Sequence, residues 1–429
     1  MSIKSNWKKC KLKDLVKINS SSVSKKDNLN HIVYLDTGNI TMGKIEELAE
    51  FAYSEAPSRA KRKVKENSIV YSMVRPNQRH YGLIKNPTTN LIVSTGFAVL
   101  DAKEFADSKY IYYWLTQNHI TDLLQGIAEN STSAYPAIRP VDLENLDISL
   151  PPLEEQKRSA EILGSLDDKI ELLQKQNKTL EDMAKALFKS WFVDFDVVRA
   201  KQKGLPKADI MREYHLTEEL YDLFPSSFAD SPLGPIPFGW QVKKIGELVS
   251  VVRGGSPRPI QKFLSKEGLP WLKISDATAS PTKFITHIEQ CIIPEGLSKT
   301  RFIKKGSLVV SNSATPGMPK FLALDTCIHD GWLFLDDYKG ITKELLYYFI
   351  LFNRAELVAL GSGSVFTNLK TDVLKNFQIV VPTGIIQNKL NPIFAQIDEA
   401  ILLHNKQIQT LTELRDTLLP RLISGKIRV

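Results

Sequence analysis

Two stretches of the chain place apolar residues at unbroken alternating steps of three and four. The first runs Leu163, Leu166, Ile170, Leu173, Asn177, Leu180, Ala184, Leu187 and Trp191. The second runs Phe394, Ile397, Ile401, His404, Ile408, Leu411, Arg415, Leu418 and Leu422. Each is a heptad seam and predicts a long helix that needs a partner, because one helix cannot cover such a stripe alone. The nearest partner is the other stretch. The connection over 199–235, with Gly204, Pro206, Pro225, Pro232 and Pro235, allows the two to run antiparallel. In that register Asn177 faces His404, Leu173 faces Ile408 and Leu180 faces Ile401, since buried polar groups seek each other. Outside the seams the pattern shortens. Runs at 32–35, 68–73, 91–100 and 308–311 predict strands, and aromatic-rich segments at 110–121 and 343–360 predict helices. Each of those helices is followed by a short strand that stops at Pro151 or Pro382.

The chain is also written twice. Leu143-Glu-Asn-Leu-Asp-Ile-Ser-Leu-Pro151 returns as Leu374-Lys-Asn-Phe-Gln-Ile-Val-Val-Pro382, an offset of 231 residues. Gln156 returns as Gln387, and Leu166-Asp-Asp-Lys-Ile170 as Ile397-Asp-Glu-Ala-Ile401, at the same offset. Trp7 answers Trp240 at 233, and Glu66-Asn-Ser-Ile-Val70 answers Lys305-Gly-Ser-Leu-Val309 at 239. The drift is confined to the regions before the helices, so those regions accept insertions and the helices do not. The predicted fold class is mixed α/β. Two repeated domains, 1–150 and 236–381, are separated by two long antiparallel helices, 151–198 and 382–429, which form a coiled coil in a circular, pseudo-twofold arrangement. A linker spans 199–235.

Composition narrows the function classes. At 429 residues, 43% apolar and 24% charged, the chain is globular and long enough for two or three cores. A net charge of +8 favours a polyanionic partner. Cys10, Cys291 and Cys327 lack metal-ligand spacing and read as buried thiols in a reducing compartment. The first eleven residues carry lysines without an apolar stretch, and no apolar run approaches the ~20 residues of a membrane span. The expected location is cytoplasmic.

Catalytic motifs fail one by one. Asn391-Pro-Ile-Phe394 resembles the Asn-Pro-Pro-aromatic motif of amino-methyltransferases, but it lacks the second proline and Phe394 lies on the seam. Asp167-Asp-Lys169 and Glu155-Gln-Lys157 have the acid-x-Lys spacing of metal-dependent nucleases, yet their repeat counterparts lose the lysine. Solvated helix faces are the expected reading of both. Gly361-Ser-Gly-Ser364 has no following Gly-Lys-Ser/Thr, so it reads as a flexible loop and not a phosphate cradle. The seven histidines show no zinc-type pairing. No catalytic, metal or cofactor residues are expected.

Nucleic-acid chemistry has better candidates. Reading DNA needs cations for phosphate and Arg, Asn, Gln, Lys or Ser for base edges. The first domain offers a basic run, Arg59, Lys61, Arg62, Lys63 and Lys65, and then Arg75, Asn77, Gln78 and Arg79 around Pro76. The second offers Arg253, Ser256 and Arg258 in a Gly-Gly-containing loop, with Lys262, Lys273 and Lys283. Asn312, Ser313 and Lys320 stand where 75–79 stand in the repeat, and Asn368 and Lys370 follow the 361–364 loop.

Leu150-Pro-Pro-Leu-Glu-Glu-Gln156, Trp191-Phe-Val-Asp-Phe195 and Phe224-Pro225 with Leu233-Gly-Pro-Ile-Pro-Phe-Gly-Trp240 resemble the specificity subunit of type I restriction-modification systems across essentially the whole chain. The second junction, Val381-Pro-Thr-Gly-Ile-Ile-Gln387, departs by losing one proline and the acids. The resemblance implies that each variable domain is a target-recognition domain for one half of a bipartite DNA site. It implies that the helices set the spacer and dock two methyltransferase subunits. Those partners would use S-adenosylmethionine to methylate adenine, while separate translocase-nuclease subunits would use ATP and Mg2+. This chain itself would bind no cofactor and catalyse nothing.

Overall fold

The computed structural model describes residues 7–131, 135–361 and 368–429. The chain divides into two compact units, one formed by 1–171 with 409–429 and one by 172–408. The division cuts both long helices, Leu153–Phe192 and Gly384–Ile423, so each unit contains a piece of each helix.

In the first unit the strand Lys8–Lys11 pairs antiparallel with Asp147–Leu150, returning the domain to the residues that open the first long helix. Two four-stranded sheets form its body. One has the order Val16–Ile18, Phe97–Ala102, Ile69–Ser72, Tyr81–Leu83, all antiparallel. The other has the order Ala49–Ala52, His31–Leu35, Leu91–Ser94, Ala60–Lys63, with the middle pair parallel. The expected strand over 91–100 is therefore two strands in two sheets. The chain crosses at Thr95-Gly96, where Ser94 Oγ accepts from the Gly96 amide at 3.2 Å and ends the first ladder. The expected helix over 110–121 is likewise two, Ser108–Leu115 and Asn118–Glu129. Gln117 is extended between them and its carbonyl accepts from Ile120 and Thr121, so it starts a new helix.

The second unit repeats this plan with additions. One sheet has the order Ser250–Arg253, Trp332–Asp336, Leu308–Ser311, Pro319–Leu322, Phe284–Ile285. The strand Leu308–Ser311 is buried along its whole length, as its continuous β-branched and apolar run requires. A second five-stranded sheet runs Leu264–Ser265, Cys291–Ile292, Leu269–Leu272, Thr326–Ile328, Arg301–Ile303. Gln241–Lys244 pairs with Gln378–Val381, the counterpart of the first unit's terminal pair. The expected helix over 343–360 splits into Lys343–Phe352 and Arg354–Gly361 at Asn353, whose side chain donates back to the Phe349 carbonyl at 2.8 Å. The linker is also helical, with Asp196–Gln202, Lys207–Glu213 and Glu218–Leu223.

Within the second unit the long helices pair antiparallel. Phe188 lies 6.4 Å from Phe394, ring to ring, while Asn177 Oδ1 is 2.9 Å from His404 Nδ1. The polar pairing expected from the register is present, and it is extended. Asn177 Nδ2 donates to Asn405 Oδ1 at 2.9 Å, and Asn405 Nδ2 donates to Thr282 Oγ1 at 3.1 Å. Phe188, off the seam as read from sequence, is fully buried and stacks on Tyr348, so the packed face is wider than the heptad stripe.

Asp168, Lys169 and Lys157 are exposed, as expected of solvated helix faces, but Asp167 and Glu155 are partly buried and paired. In the first unit Asp167 accepts from Tyr113 Oη at 2.7 Å and from Arg415 Nη1 at 2.9 Å. Glu155 lies 3.5 Å from Arg428. In the second unit Asp398, the repeat counterpart of Asp167, is buried against Lys283. These acids act as ties between helix and domain, which answers why their lysine spacing is not repeated. Phe394 is absorbed into the packing, its ring 5.2 Å from that of Tyr348. Among the described residues no group of three or more His, Cys, Asp or Glu side chains could hold a metal ion, and the three cysteines are free thiols. No described helix is long and apolar enough to cross a membrane.

Candidate nucleic-acid interface

Each unit builds one hairpin whose turn carries the polar residues singled out above. In the first unit Ile69–Ser72 pairs with Tyr81–Leu83, and the Ser72 amide donates to the His80 carbonyl across the mouth of the turn at 2.8 Å. In the second, Leu308–Ser311 pairs with Pro319–Leu322, and the Ser311 amide donates to Met318 at 3.0 Å. Two further backbone bonds recur. Met73 N to Gly96 O corresponds to Asn312 N to Gly331 O, at 2.9 and 2.8 Å. Ile138 N to Met73 O corresponds to Leu369 N to Asn312 O, both 2.8 Å. The repeat is therefore a repeat of backbone bonds at the base of the turn. Backbone groups can form them whatever side chains the turn displays.

The first turn carries its own cations. Pro76–Gln78 is one 3-10 turn, flanked by Arg75 and Arg79 at φ +48° and +57°. Two bulky residues in the left-handed region are costly and persist only where surrounding contacts hold them. Those contacts are visible. Arg79 Nη2 donates to Asn118 Oδ1 at 2.9 Å, and Gln125 Oε1 accepts from the Asn77 amide at 3.1 Å. The Arg75 guanidinium sits 5.2 Å from the Tyr135 ring centre. The side chains of Asn77 and Gln78 remain exposed.

The basic run lies on a different element. Ala60–Lys63 is the edge strand of the second sheet, not a loop. Lys63 is paired with Asp27 at 2.5 Å, and its hydrogen bond holds the Asp27 carboxyl down at about 2. Arg62 is half-buried, with Nε lacking a partner and its guanidinium pushed down by burial. Arg59 and Lys61 are exposed, and the Arg59 carbonyl accepts from Thr95 beside the base of the turn.

The second turn has no arginine of its own, and Asp330 collects them from elsewhere. Ser256 Oγ donates to Asp330 Oδ1 at 2.7 Å, while Arg253 and Arg258 place Nη2 atoms 3.9 and 3.7 Å from Oδ2. The Asp330 carbonyl accepts from Arg253 Nε at 2.7 Å and from Asn312 Nδ2 at 3.0 Å. Foremost the Ser256 hydrogen bond keeps the Asp330 carboxyl below the usual carboxylate range. Arg354 holds the other side of the turn, donating to the Pro316 and Thr315 carbonyls at 3.0 and 3.3 Å. Exposed Asn368 and Lys370 adjoin through the Leu369 amide. Residues 362–364 of the expected flexible loop lie outside the described residues.

Two cationic candidates are buried away from this surface, and a third is half-buried. Lys320 is buried, its ammonium donating to the Ser280 and Thr282 carbonyls at 3.1 and 2.5 Å, and burial pushes it down to about 8. Lys283 is buried in the Asp398 pair. Lys273 opens the helix Ile274–Ala279 and is half-buried. The strand Pro319–Leu322 lies inside its sheet and is buried along its whole length, so Lys320 is covered whichever face it takes. Asp330 and Asn118 escaped sequence reading. Only Asp330 had a signal, the turn dipeptide Asp330-Gly331.

The profile of the family described as type I restriction modification DNA specificity domain matches residues 4–182 and 237–413, one copy per repeat. The chain belongs to this family of type I restriction-modification specificity subunits. The HindI specificity subunit of Haemophilus influenzae is 28% identical over 468 residues, covering 99% of this chain and 100% of that protein. The MjaIX specificity subunit of Methanocaldococcus jannaschii is 26% identical and covers 82% of this chain and 75% of its own length. The type I S subunit from M. genitalium shares the fold, with a TM-score of 0.56 at 16% identity over 97% of this chain and 96% of that one. Specificity subunits are non-catalytic parts of type I restriction-modification systems. The signature residues of this specificity subunit serve packing. Gln156 and Gln387 each donate to the carbonyl of the proline before the helix, Pro151 and Pro382, at 2.9 Å. Phe192, Phe195 and Phe224 surround Trp240 with ring centres 5.7 to 6.4 Å away.

Proposed function

We propose that each unit of this specificity subunit reads one half of a bipartite DNA site through its hairpin turn. The observation that carries the reading is the twofold occurrence of one backbone turn beside exposed polar side chains, Arg75, Asn77 and Gln78 in the first unit and Arg253 and Arg258 in the second. In the first unit the contacts would come from Arg75, Asn77, Gln78 and Arg79, with Arg59 and Lys61 on phosphate. In the second they would come from Arg253, Ser256, Arg258 and Ser313, with Asn368 and Lys370, while Asn312, expected at the interface, is buried and braces the Asp330 carbonyl. A bidentate Arg or Asn contact is worth ~1–3 kcal/mol of base discrimination, so a few per unit suffice for a short half-site. The helix pair would set the spacer and dock two methyltransferase subunits. Forty residues at ~1.5 Å each span ~60 Å, against ~34 Å for one DNA turn. S-adenosylmethionine would act in those partners, and ATP and Mg2+ in translocase-nuclease subunits.

The test is methylation-sensitive sequencing of DNA from cells co-expressing the chain with its methyltransferase partner. The expected result is a modified two-part motif with a fixed gap, changed one half at a time when 1–150 or 236–381 is swapped. Unmodified DNA from a properly assembled complex would sink the reading.

A further inference from the structure

We infer that Asp330 is a positioning residue that assembles the reading surface of the second unit without contacting DNA itself; the inference rests on the function proposed above. Asp330 is the point where the Arg253–Arg258 loop and the Asn312 turn meet. Its carboxylate takes the Ser256 hydroxyl and faces both arginines, and its carbonyl takes Arg253 Nε and Asn312 Nδ2. Four polar side chains from two separate segments thus share one residue.

The local backbone is built for this approach. A Cβ on Gly254 would stand 2.2 Å from the His329 carbonyl oxygen, and one on Gly331 would stand 2.1 Å from the His329 ring. Both glycines are required for the loop to lie against Asp330. Gly254 and Gly255 also donate to the Trp332 and Ile328 carbonyls at 2.9 and 3.3 Å, so the loop's backbone stays anchored when the carboxylate is removed. The carboxylate therefore acts on the Ser256 hydroxyl and, through ion pairs at 3.9 and 3.7 Å, on the ends of Arg253 and Arg258, and not on whether the loop folds.

The other unit supplies an internal control. Gly96 fills the role of Gly331 at the base of the first turn, so Thr95 stands where Asp330 stands. That unit needs no such acid because Arg75 and Arg79 are within the turn and are held by Tyr135 and Asn118. A lone carboxylate on a surface meant for phosphate is unfavourable. Its presence in the second unit is explained by an orienting role, since the ion pairs to Arg253 and Arg258 and the Ser256 hydrogen bond limit side-chain freedom before DNA arrives.

The experiment uses the full chain assembled with its methyltransferase partner and reads the modified motif. D330A is expected to lower modification of the native motif at least about tenfold and to relax bases in the half-site assigned to 236–381. The other half-site and the gap stay unchanged. D330N keeps the oxygen that accepts from Ser256 but loses the charge, so it gives an intermediate loss. R253A and R258A are run in parallel. If they relax the half-site while D330A and D330N leave it intact, the positioning role is wrong and the reading surface stands. If none of the four changes the motif, the proposed reading surface itself fails. Equal loss at both half-sites by D330A and D330N, with the assembled complex intact, would also overturn the inference.

Discussion

The first and second hairpin turns share their backbone bonds and almost none of their side-chain chemistry. In the first, Arg75 and Arg79 are part of the turn and rest on the helix Asn118–Glu129 and on Tyr135. In the second the turn is Asn312-Ser-Ala-Thr-Pro316, and the arginines arrive from a loop about 55 residues earlier, gathered by Asp330. The helix junctions differ in the same manner. Asp167 and Asp398 occupy one repeat position. Asp167 takes its cation from the facing helix, Arg415, and is partly exposed. Asp398 takes Lys283 from the domain and is buried, which pushes its carboxyl up to about 6. A duplicated scaffold thus keeps a main-chain frame and lets each copy find its own polar partners.

The largest expected effect tests the junctions. Lys283→Met leaves a buried carboxylate without its cation, and breaking such a pair costs about 3–5 kcal/mol. Arg415→Met breaks a partly exposed pair and should cost about 1 kcal/mol or less. Urea unfolding of the whole chain would compare them, and equal losses would remove burial as the distinction. Next come the turns. Arg79→Ala should relax bases in the first half-site by about 1–3 kcal/mol while leaving the second untouched, read by the modified motif. Relaxation of both half-sites would break the assignment of one turn to one half.

A smaller effect separates the glycines at the turn bases. Gly331→Ala meets the His329 ring at 2.1 Å and Ser313 Oγ at 2.7 Å, whereas Gly96→Ala meets Thr37 Cγ2 at 3.0 Å. Overpacking costs ~1–3 kcal/mol, so Gly331→Ala should lower the melting temperature more than Gly96→Ala. The smallest effect is in pH. Lys320 stands at the strand position that is Gly82 in the first unit. Its folded value near 8 lies below the ordinary 10.5, so the folded chain binds fewer protons than the unfolded chain between those values. This group's contribution to stability should rise with pH across that window, and Lys320→Met should flatten the rise. An unchanged profile would show that the Ser280 and Thr282 carbonyls offset its burial.

Period and repetition along the chain were enough for the architecture. The seam from Leu163 to Trp191 and its copy from Phe394 to Leu422 named both helices, and Asn177 opposite His404 named their register. The offsets of 231 to 239 named two similar domains. Such patterns are local, and local backbone preference with a single buried stripe decides them. The breaks at Thr95-Gly96, Gln117 and Asn353 fall at short polar interruptions of the apolar runs, and only the tertiary structure decided that the ladder or helix stops there. It also decided which cations are free. Lys61 and Lys320 are the same kind of residue, the first in an edge strand and the second in a fully buried interior strand. One points to water from an edge, and the other is turned inward onto two carbonyls. Charge and spacing do not record which face of a strand is covered, so the partners of each polar side chain exist only once distant segments have packed.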